Sequence, residues 1–349
     1  MKCSIDDVYH FEYEKTKKYC DHVNQLVSKN SFPEKLSLPL SIQLELTEKC
    51  NLKCKHCYNS SGDVKNKTNL TVADWENISK EIVIAGGVFQ VILSGGEPLL
   101  LGDGLFDIMD IFHEDGAKFI LITNGYLLNE SVVRKLTKYN FSWLQVSIDG
   151  ITPEHHDEFR QRTGSWKRAI KGAILAANEG IPVKIASSLA PSEIDNIGKY
   201  VDMAFKVGAS AIMLGDIMPS GRSFDNKEVI SNRDFKYSLL NEVAVLKESY
   251  KDKIEVQTSG FIKLQLIKAS SGTLDSIIIR PNGDLRLDCI APFVVGNVKN
   301  KSFKAEWDKI PWNIWKNRVV SEYIDSIDEI TGTSSMIGNY HDGDITLDI

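Results

Sequence analysis

Long apolar runs are absent from this 349-residue chain: no stretch approaches the ~20 uninterrupted apolar residues of a membrane span. The N-terminus, Met-Lys-Cys-Ser-Ile-Asp-Asp, lacks the apolar core of a secretory signal. An excess of basic charge is absent too. With 41 Lys and Arg against 47 Asp and Glu the net charge is −6, so the chain has no general pull toward nucleic acid or anionic membrane. A low-complexity composition is also lacking. Hydrophobic residues make up 42% and charged residues 25%, the balance of a folded globular protein. No solenoid-type repeat is present. These absences point to a cytoplasmic protein of about two domains, in a compartment where thiols stay reduced.

Cysteine is scarce and unevenly placed. Of six residues, Cys50, Cys54 and Cys57 fall together, while Cys3, Cys20 and Cys289 are isolated. That distribution is not a disulfide framework, and clustered thiols in a reducing compartment more often bind metal or do chemistry.

From residue 41 the sequence alternates between strand and helix patterns. Strands are expected at 41–46, 89–93, 118–123, 143–148, 183–188 and 211–214, each short and rich in Val, Ile or Leu. Helices are expected at 72–85, after Asn129 as cap, and at 166–178 with Ser165 as cap. Six such units give a doubly wound sheet or a barrel, and both put the working site at the C-terminal ends of the strands. Residues 1–38 read as a short helical lead-in. The alternation stops near Pro219-Ser220-Gly221-Arg222. A helix at 234–250 follows, then a hairpin from 276–280 through Pro281-Asn282-Gly283-Asp284 to 285–289. Trp307, Trp312 and Trp315 read as a helical stripe packed in the core. The tail 341–349, with Asp342, Asp344 and Asp348, reads as a solvated end or a segment folded over the barrel mouth.

Directly after the first strand comes Leu46-Thr47-Glu48-Lys49-Cys50-Asn51-Leu52-Lys53-Cys54-Lys55-His56-Cys57-Tyr58. Three thiolates at Cys-x3-Cys-x2-Cys spacing can ligate three irons of a [4Fe–4S] cluster and leave the fourth open. A structural zinc ion usually takes four ligands and would need His56 or a distant residue as the fourth. The second strand ends in Gly95-Gly96-Glu97-Pro98. Two glycines let backbone approach a ligand closely, and Glu97 can accept from an ammonium group. Thr123-Asn124-Gly125 closes the third strand and Gln145-Val146-Ser147-Ile148-Asp149-Gly150 the fourth. His155-His156-Asp157-Glu158-Phe159-Arg160 follows, more a loop-to-helix region than a metal pair. Arg160, with Arg162 as a nearby competitor, can pair bidentately with a carboxylate.

In this order, over roughly residues 40–222, these motifs resemble the radical S-adenosylmethionine (SAM) superfamily. Its signature is Cys-x3-Cys-x-aromatic-Cys, with His56 here in the aromatic position. The resemblance implies an α/β fold, a partial (β/α)6 TIM-like barrel over residues 39–222. It implies a [4Fe–4S] cluster on Cys50, Cys54 and Cys57, with SAM chelating the open iron. Reductive cleavage of SAM would give a 5′-deoxyadenosyl radical that abstracts hydrogen from substrate. Gly95, Gly96, Glu97 and Pro98 would hold the SAM amino group. Ser147 and Asp149 would suit the ribose and amino-acid parts, and Arg160 the carboxylate. Asn124, Ser187 or Ser188, Leu214, His56 and Tyr58 would be further SAM contacts. An external donor such as flavodoxin or ferredoxin would supply the electron.

The C-terminal third resembles the SPASM or twitch extension of that superfamily. The likeness rests on residues 279–289, Gly296-Asn297-Val298, Ser302, Trp307 and the link at 219–222. Its cysteines are missing apart from Cys289. The expectation is a single cluster and a cluster-free α+β extension over 223–349. Without auxiliary clusters redox-neutral outcomes such as epimerisation become easier, and the Cys289 thiol would serve as a hydrogen donor. SPASM-like frames are commonest in enzymes that modify ribosomally made peptides by epimerisation or crosslinking. The short lead-in suggests that leader recognition falls to a separate protein or to other surfaces. Two other readings are a sugar, nucleoside or amino-acid metabolite as substrate, and a non-catalytic metal-binding protein.

Overall fold

The computed structural model describes residues 4–62, 69–217, 219–336 and 344–349. Cys3 and Asp342 lie outside the described residues.

The helical lead-in holds one helix of 24 residues. Ser4 and Asp7 form a capping box at the start of α1 (Ile5–Ser28). Its buried residues Tyr9, Thr16 and Val23 stand seven apart, a stripe too sparse to stand out in so polar a sequence. Tyr9 packs edge-on against Phe261, 5.1 Å between ring centroids.

Strand and helix then alternate as β1 (Ser41–Glu45), α2 (Val72–Ile84), β2 (Gln90–Ser94), α3 (Asp103–Glu114), β3 (Lys118–Thr123), α4 (Glu130–Leu136) and β4 (Phe141–Ser147). Two helices, α5 (Pro153–Arg160) and α6 (Ser165–Asn178), lead to β5 (Val183–Leu189), α7 (Ile197–Val207) and β6 (Ala211–Asp216). These six strands pair in chain order, all parallel.

The parallel sheet does not stop at six. After α8 (Arg222–Asp225) and α9 (Arg233–Tyr250), β7 (Glu255–Thr258) adds beside β6; after α10 (Ile262–Ser271), β8 (Ser276–Ile279) adds beside β1. Both additions are parallel. β7 escaped notice because Glu-Val-Gln-Thr buries only Val256 and carries no apolar run. With β7 at one end of the sheet and β8 leading on into a hairpin, the architecture is a partial TIM-like barrel. The hairpin turns through Gly283 into β9 (Asp284–Arg286) and β10 (Phe293–Asn297), followed by α11 (Phe303–Lys309), α12 (Arg318–Ser326) and β11 (Ile345–Thr346). The tail is therefore not wholly solvated: β11 lies parallel on β10.

Strand alternation sorts the residues between two environments. Ile42, Leu44, Val91, Leu93, Leu144, Val146, Val183 and Ile185 are inaccessible in the core. Fully burying each such side chain contributes roughly 1.5–3 kcal/mol. The opposite parity places Gln43, Ser94, Gln145, Ser147 and Ser188 along the barrel interior. Trp75 of α2 is fully buried and donates from Nε1 to the Leu46 carbonyl (3.0 Å), fixing the first residue of the cysteine loop. The tryptophan stripe does not form as one helix. Pro311 follows the end of α11, so Trp307 and Trp315 are buried while Trp312 is 39% exposed. No helix is long and apolar enough to cross a membrane.

Candidate active site

At the C-terminal rim of β1–β6 lies a cavity of about 340 Å³. It brings together Cys50, Cys54, Cys57, His56, Tyr58, Gly95, Gly96, Asn124, Ser147 and Arg160. These residues come from the ends of four separate strands, β1 to β4, so the shared wall depends on the sheet rather than on local sequence.

The cysteine loop is held from three sides. Two glycines let the second loop lie against it: Gly96 N–H donates to the Thr47 carbonyl (2.6 Å) and Glu97 N–H to that of Lys49 (2.9 Å). A Cβ on Gly96 would stand 2.2 Å from the Lys49 oxygen. On the second side, Lys55 N–H donates to the Phe159 carbonyl (2.9 Å), and His56 stacks on the Phe159 ring at 4.5 Å and 9°. The third side is the link after β6. Arg222 donates from Nε to the Cys54 carbonyl (2.7 Å), from Nη1 to Ser61 (2.8 Å) and from its backbone to Cys57 (2.9 Å). Ser220 Oγ donates to the Tyr58 carbonyl and Asn226 Nδ2 to that of Lys55. This clamp answers loop carbonyls that would otherwise lack donors.

Several expected contacts sit behind the cavity wall instead of on it. Glu97 is fully buried, and its carboxylate accepts from Thr123 Oγ1 (2.8 Å), Asn124 N–H (2.8 Å) and Leu99 N–H (3.1 Å). It ties the ends of β2 and β3 together, and Pro98 is buried beside it. Asp149 is likewise engaged. Its Oδ2 accepts from Arg160 Nε (2.8 Å) and lies 2.6 Å from Arg160 Nη2 and 3.2 Å from His56 Nε2, while Oδ1 accepts from Ser188 N–H (2.8 Å). Asp149 thus positions Arg160 and His56. Burial alone would raise its carboxyl, but Arg160, His56 and His156 together hold it below the usual carboxylate range. Ser187 and Leu214 have the core-facing parity: Ser187 donates to the Ile148 carbonyl (2.6 Å), and Leu214 is inaccessible. Ser188 lines the cavity in place of Ser187. Arg162 is directed to Tyr126. Cys289 is not among the cavity-lining residues; Tyr58 lines that side, and its hydroxyl donates to Glu45 (2.9 Å).

Gln43, Ser94, Gln145, Asp216 and Ile217 also line the cavity. For Gln43, Ser94 and Gln145 the available signal was a polar residue at the inward parity of an otherwise apolar strand, as with Gln43 between Ile42 and Leu44.

Burial pushes the Cys50 thiol up to about 11 and Cys54 to about 12, so loading a metal there must displace protons. Among the described residues no three His, Cys, Asp or Glu side chains converge as one metal ion requires. Three thiols spread around a shared cavity suit a polynuclear cluster, and the Arg160 guanidinium on the same wall suits a carboxylate.

The acid response has a definite sign. His56 and His156, ordinarily near 6.5, are lowered to about 4 and about 3, chiefly by burial. Each adds stability that is complete above pH 6.5 and is lost as pH falls toward the folded value. Glu97 opposes them, since burial raises it from 4.5 to about 7 and its ionisation weakens the fold across that interval. Between roughly pH 5 and 6 two histidines outweigh one glutamate. Unfolding of the metal-free protein in urea should become easier on acidification across that interval, in the direction set by the two histidines. Constant stability across that interval would contradict the assignment.

Residues 44–204 match the Radical SAM superfamily. That segment, a little under half of the chain, carries a radical SAM domain. The radical SAM chain is 27% identical over 290 residues to the AdoMet-dependent heme synthase of Methanosarcina barkeri, covering 77% of this chain and 82% of that protein. It is 29% identical to the subtilosin biosynthesis protein AlbA of Bacillus subtilis, covering 79% of this chain and 60% of AlbA. It is 27% identical to the PqqA peptide cyclase of Rhizobium meliloti, over 61% of this chain and 56% of the cyclase. The chain thus spans little more than half of these two peptide-linked relatives. In fold it is similar to Streptococcus suis SuiB bound to S-adenosylmethionine, with a TM-score of 0.65 at 20% identity over 86% of this chain and 72% of SuiB. The superfamily's cofactors are a [4Fe–4S] cluster and SAM, and the residues of this radical SAM enzyme fit them. Cys50, Cys54 and Cys57 would hold the cluster, and Arg160, set by Asp149, would take the SAM carboxylate. Bound there, the two supply a 5′-deoxyadenosyl radical made by reductive cleavage of SAM.

Proposed function

We propose that this radical SAM enzyme modifies a ribosomally made peptide, by epimerisation, which is redox-neutral, or by a side-chain crosslink. The observation that carries the chemistry is the convergence of Cys50, Cys54, Cys57 and Arg160 on one cavity. Its volume of about 340 Å³ lies at the low end for small-molecule sites. A cavity that also takes the cofactors favours a substrate that inserts one side chain from an extended segment. The likeness to AlbA and to the PqqA peptide cyclase supports a peptide.

The chain's own residues have distinct tasks in this reading. Arg160, held by Asp149, orients the SAM carboxylate. Gln43, Gln145, Ser147 and Ser188 line the interior with polar groups that fix the adenosyl moiety and substrate. Burial raises the Cys289 thiol well above its ordinary value, so it stays protonated and retains a hydrogen atom to return to the substrate radical. The C-terminal segment, 223–349, serves as a cluster-free SPASM-like scaffold. Flavodoxin or ferredoxin supplies the electron, and a separate protein presents the leader.

The likeness to the heme synthase favours a second reading, a small-molecule substrate. Anaerobic assays with SAM and dithionite separate the readings. The enzyme should form 5′-deoxyadenosine, and a candidate precursor peptide in deuterated buffer should gain one deuterium. Product without deuterium would remove the thiol-quench step. Cys289→Ser should uncouple 5′-deoxyadenosine from product; an unchanged ratio would exclude Cys289 as donor.

A further inference from the structure

Beside the cavity, on the same rim, two buried arginines converge on one carboxylate. Arg280 follows β8 directly, and Leu44 of β1 is in register with Ile279, so Arg280 stands level with Glu45. Arg280 Nε lies 3.5 Å from Glu45 Oε2, and Glu45 in turn accepts from Tyr58 of the cavity wall. Arg280 Nη1 meets Asp344 Oδ2 at 2.8 Å, and Arg286 Nε lies 3.2 Å from Asp344 Oδ1. The arginine side chains are only 12% and 3% exposed, whereas Asp344 is 25% exposed. The guanidiniums are thus built into the hairpin, and the carboxylate is brought to them from the tail.

The tail makes a peptide-like contact. Ile345 N–H donates to the Pro292 carbonyl (2.7 Å) and Leu347 N–H to that of Val294 (2.9 Å), which adds a parallel strand to the edge of β10. Leu347 is buried, but Thr346, Asp348 and Ile349 are exposed. A two-residue strand is short against the usual ~5–6. Its hold rests on one carboxylate, one apolar side chain and a few backbone bonds, so another segment with the same features can replace it. Asp344 meets both guanidiniums with its carboxylate oxygens, which makes the position selective for an acid.

We propose that Arg280, Arg286 and the edge of β10 on which β11 lies form a docking site for an extended peptide segment bearing an aspartate or glutamate, and that residues 344–349 fill it as a built-in competitor. Strand addition supplies affinity through main-chain bonds, and the arginine pair supplies specificity. That the docked segment belongs to the substrate rests on the peptide reading above; the docking itself does not. A segment held there would pass the Tyr58 side of the cavity, within reach of the radical chemistry.

The test uses the full-length protein without SAM and a fluorescein-labelled peptide of the sequence of residues 344–349, read by anisotropy. Wild type should bind it weakly. Asp344→Ala should bind it about tenfold or more tightly, since the competitor loses its anchor. Ile345→Pro, which removes the donor to Pro292, should act in the same direction and covers a failure of the first variant to fold. A peptide with Asn in place of its first Asp should lose that gain. Binding no tighter in either variant, or indifferent to Asn, would overturn the site. 5′-Deoxyadenosine formation by the wild type, measured in parallel, tests the radical SAM reading separately.

Discussion

Alanine at any one of Cys50, Cys54 or Cys57 should strip the protein of its iron–sulfur absorbance and reduce 5′-deoxyadenosine formation below detection. In the proposed assignment each thiol is one of three protein ligands, and no other described cysteine lines the cavity. Cys20 lies on α1 with its thiol directed to the Ile267 carbonyl, and Cys289 stands outside the cavity. The loss should exceed the roughly 10–100-fold typical of substitutions one shell further out. Cys20→Ala and Cys289→Ala should retain about four irons per chain. Iron and sulfide analysis after anaerobic reconstitution decides the matter. Full iron in Cys54→Ala, or half the wild-type iron in Cys289→Ala, would refute the ligand assignment.

Gly221→Ala should be the most damaging change outside the cysteines. Gly221 has φ +59°, and a Cβ there would stand 2.3 Å from the Cys57 carbonyl oxygen and 2.4 Å from that of Tyr58. Both are backbone atoms of the cysteine loop and cannot swing aside as a side-chain end could. Gly102 supplies a matched control, with nearly the same backbone (φ +60°, ψ −128° against +59°, −132°) but open space around its Cβ position. Alanine at Gly102 meets only the conformational penalty, about 1–3 kcal/mol. Alanine at Gly221 adds an overpacking penalty of similar size, typically about 1–3 kcal/mol. The expected outcome is a Tm depressed further in Gly221→Ala than in Gly102→Ala, together with reduced cluster retention only in the former. Equal Tm values and equal iron content would show that the link does not brace the loop.

The parts legible in the sequence were those whose chemistry is local. Cys50, Cys54 and Cys57 declare themselves by spacing within one loop, and Gly95-Gly96 by a turn that excludes side chains. Parity decided where reading from residue type went astray. Ser187 and Ser188 are the same residue type, yet only the second has the inward parity, because Ser187 falls in step with Val183 and Ile185. Asp149 and Glu97 were legible as site carboxylates but not as supports. Their role is set by partners distant in sequence, Arg160 and His56 for one and Thr123 and Asn124 for the other. The clamp at Ser220, Gly221, Arg222 and Asn226 carries no metal-binding chemistry of its own. Its role exists only because the barrel returns that segment to the cysteine loop.

That return has a consequence for biogenesis. Arg222 meets the Cys54 carbonyl across a separation of 168 residues, and β8, the second neighbour of β1, is made later still. Chains emerge from the ribosome at roughly 5–20 residues per second, so the cysteine loop spends on the order of ten seconds or more in the cell before its brace exists. Its three thiols are exposed to oxidation and to adventitious metals throughout that interval. Contacts of such long sequence separation also form late in folding. Cluster insertion into a correctly shaped loop is therefore a post-translational event, and the yield of active enzyme depends on how well the nascent thiols are kept reduced.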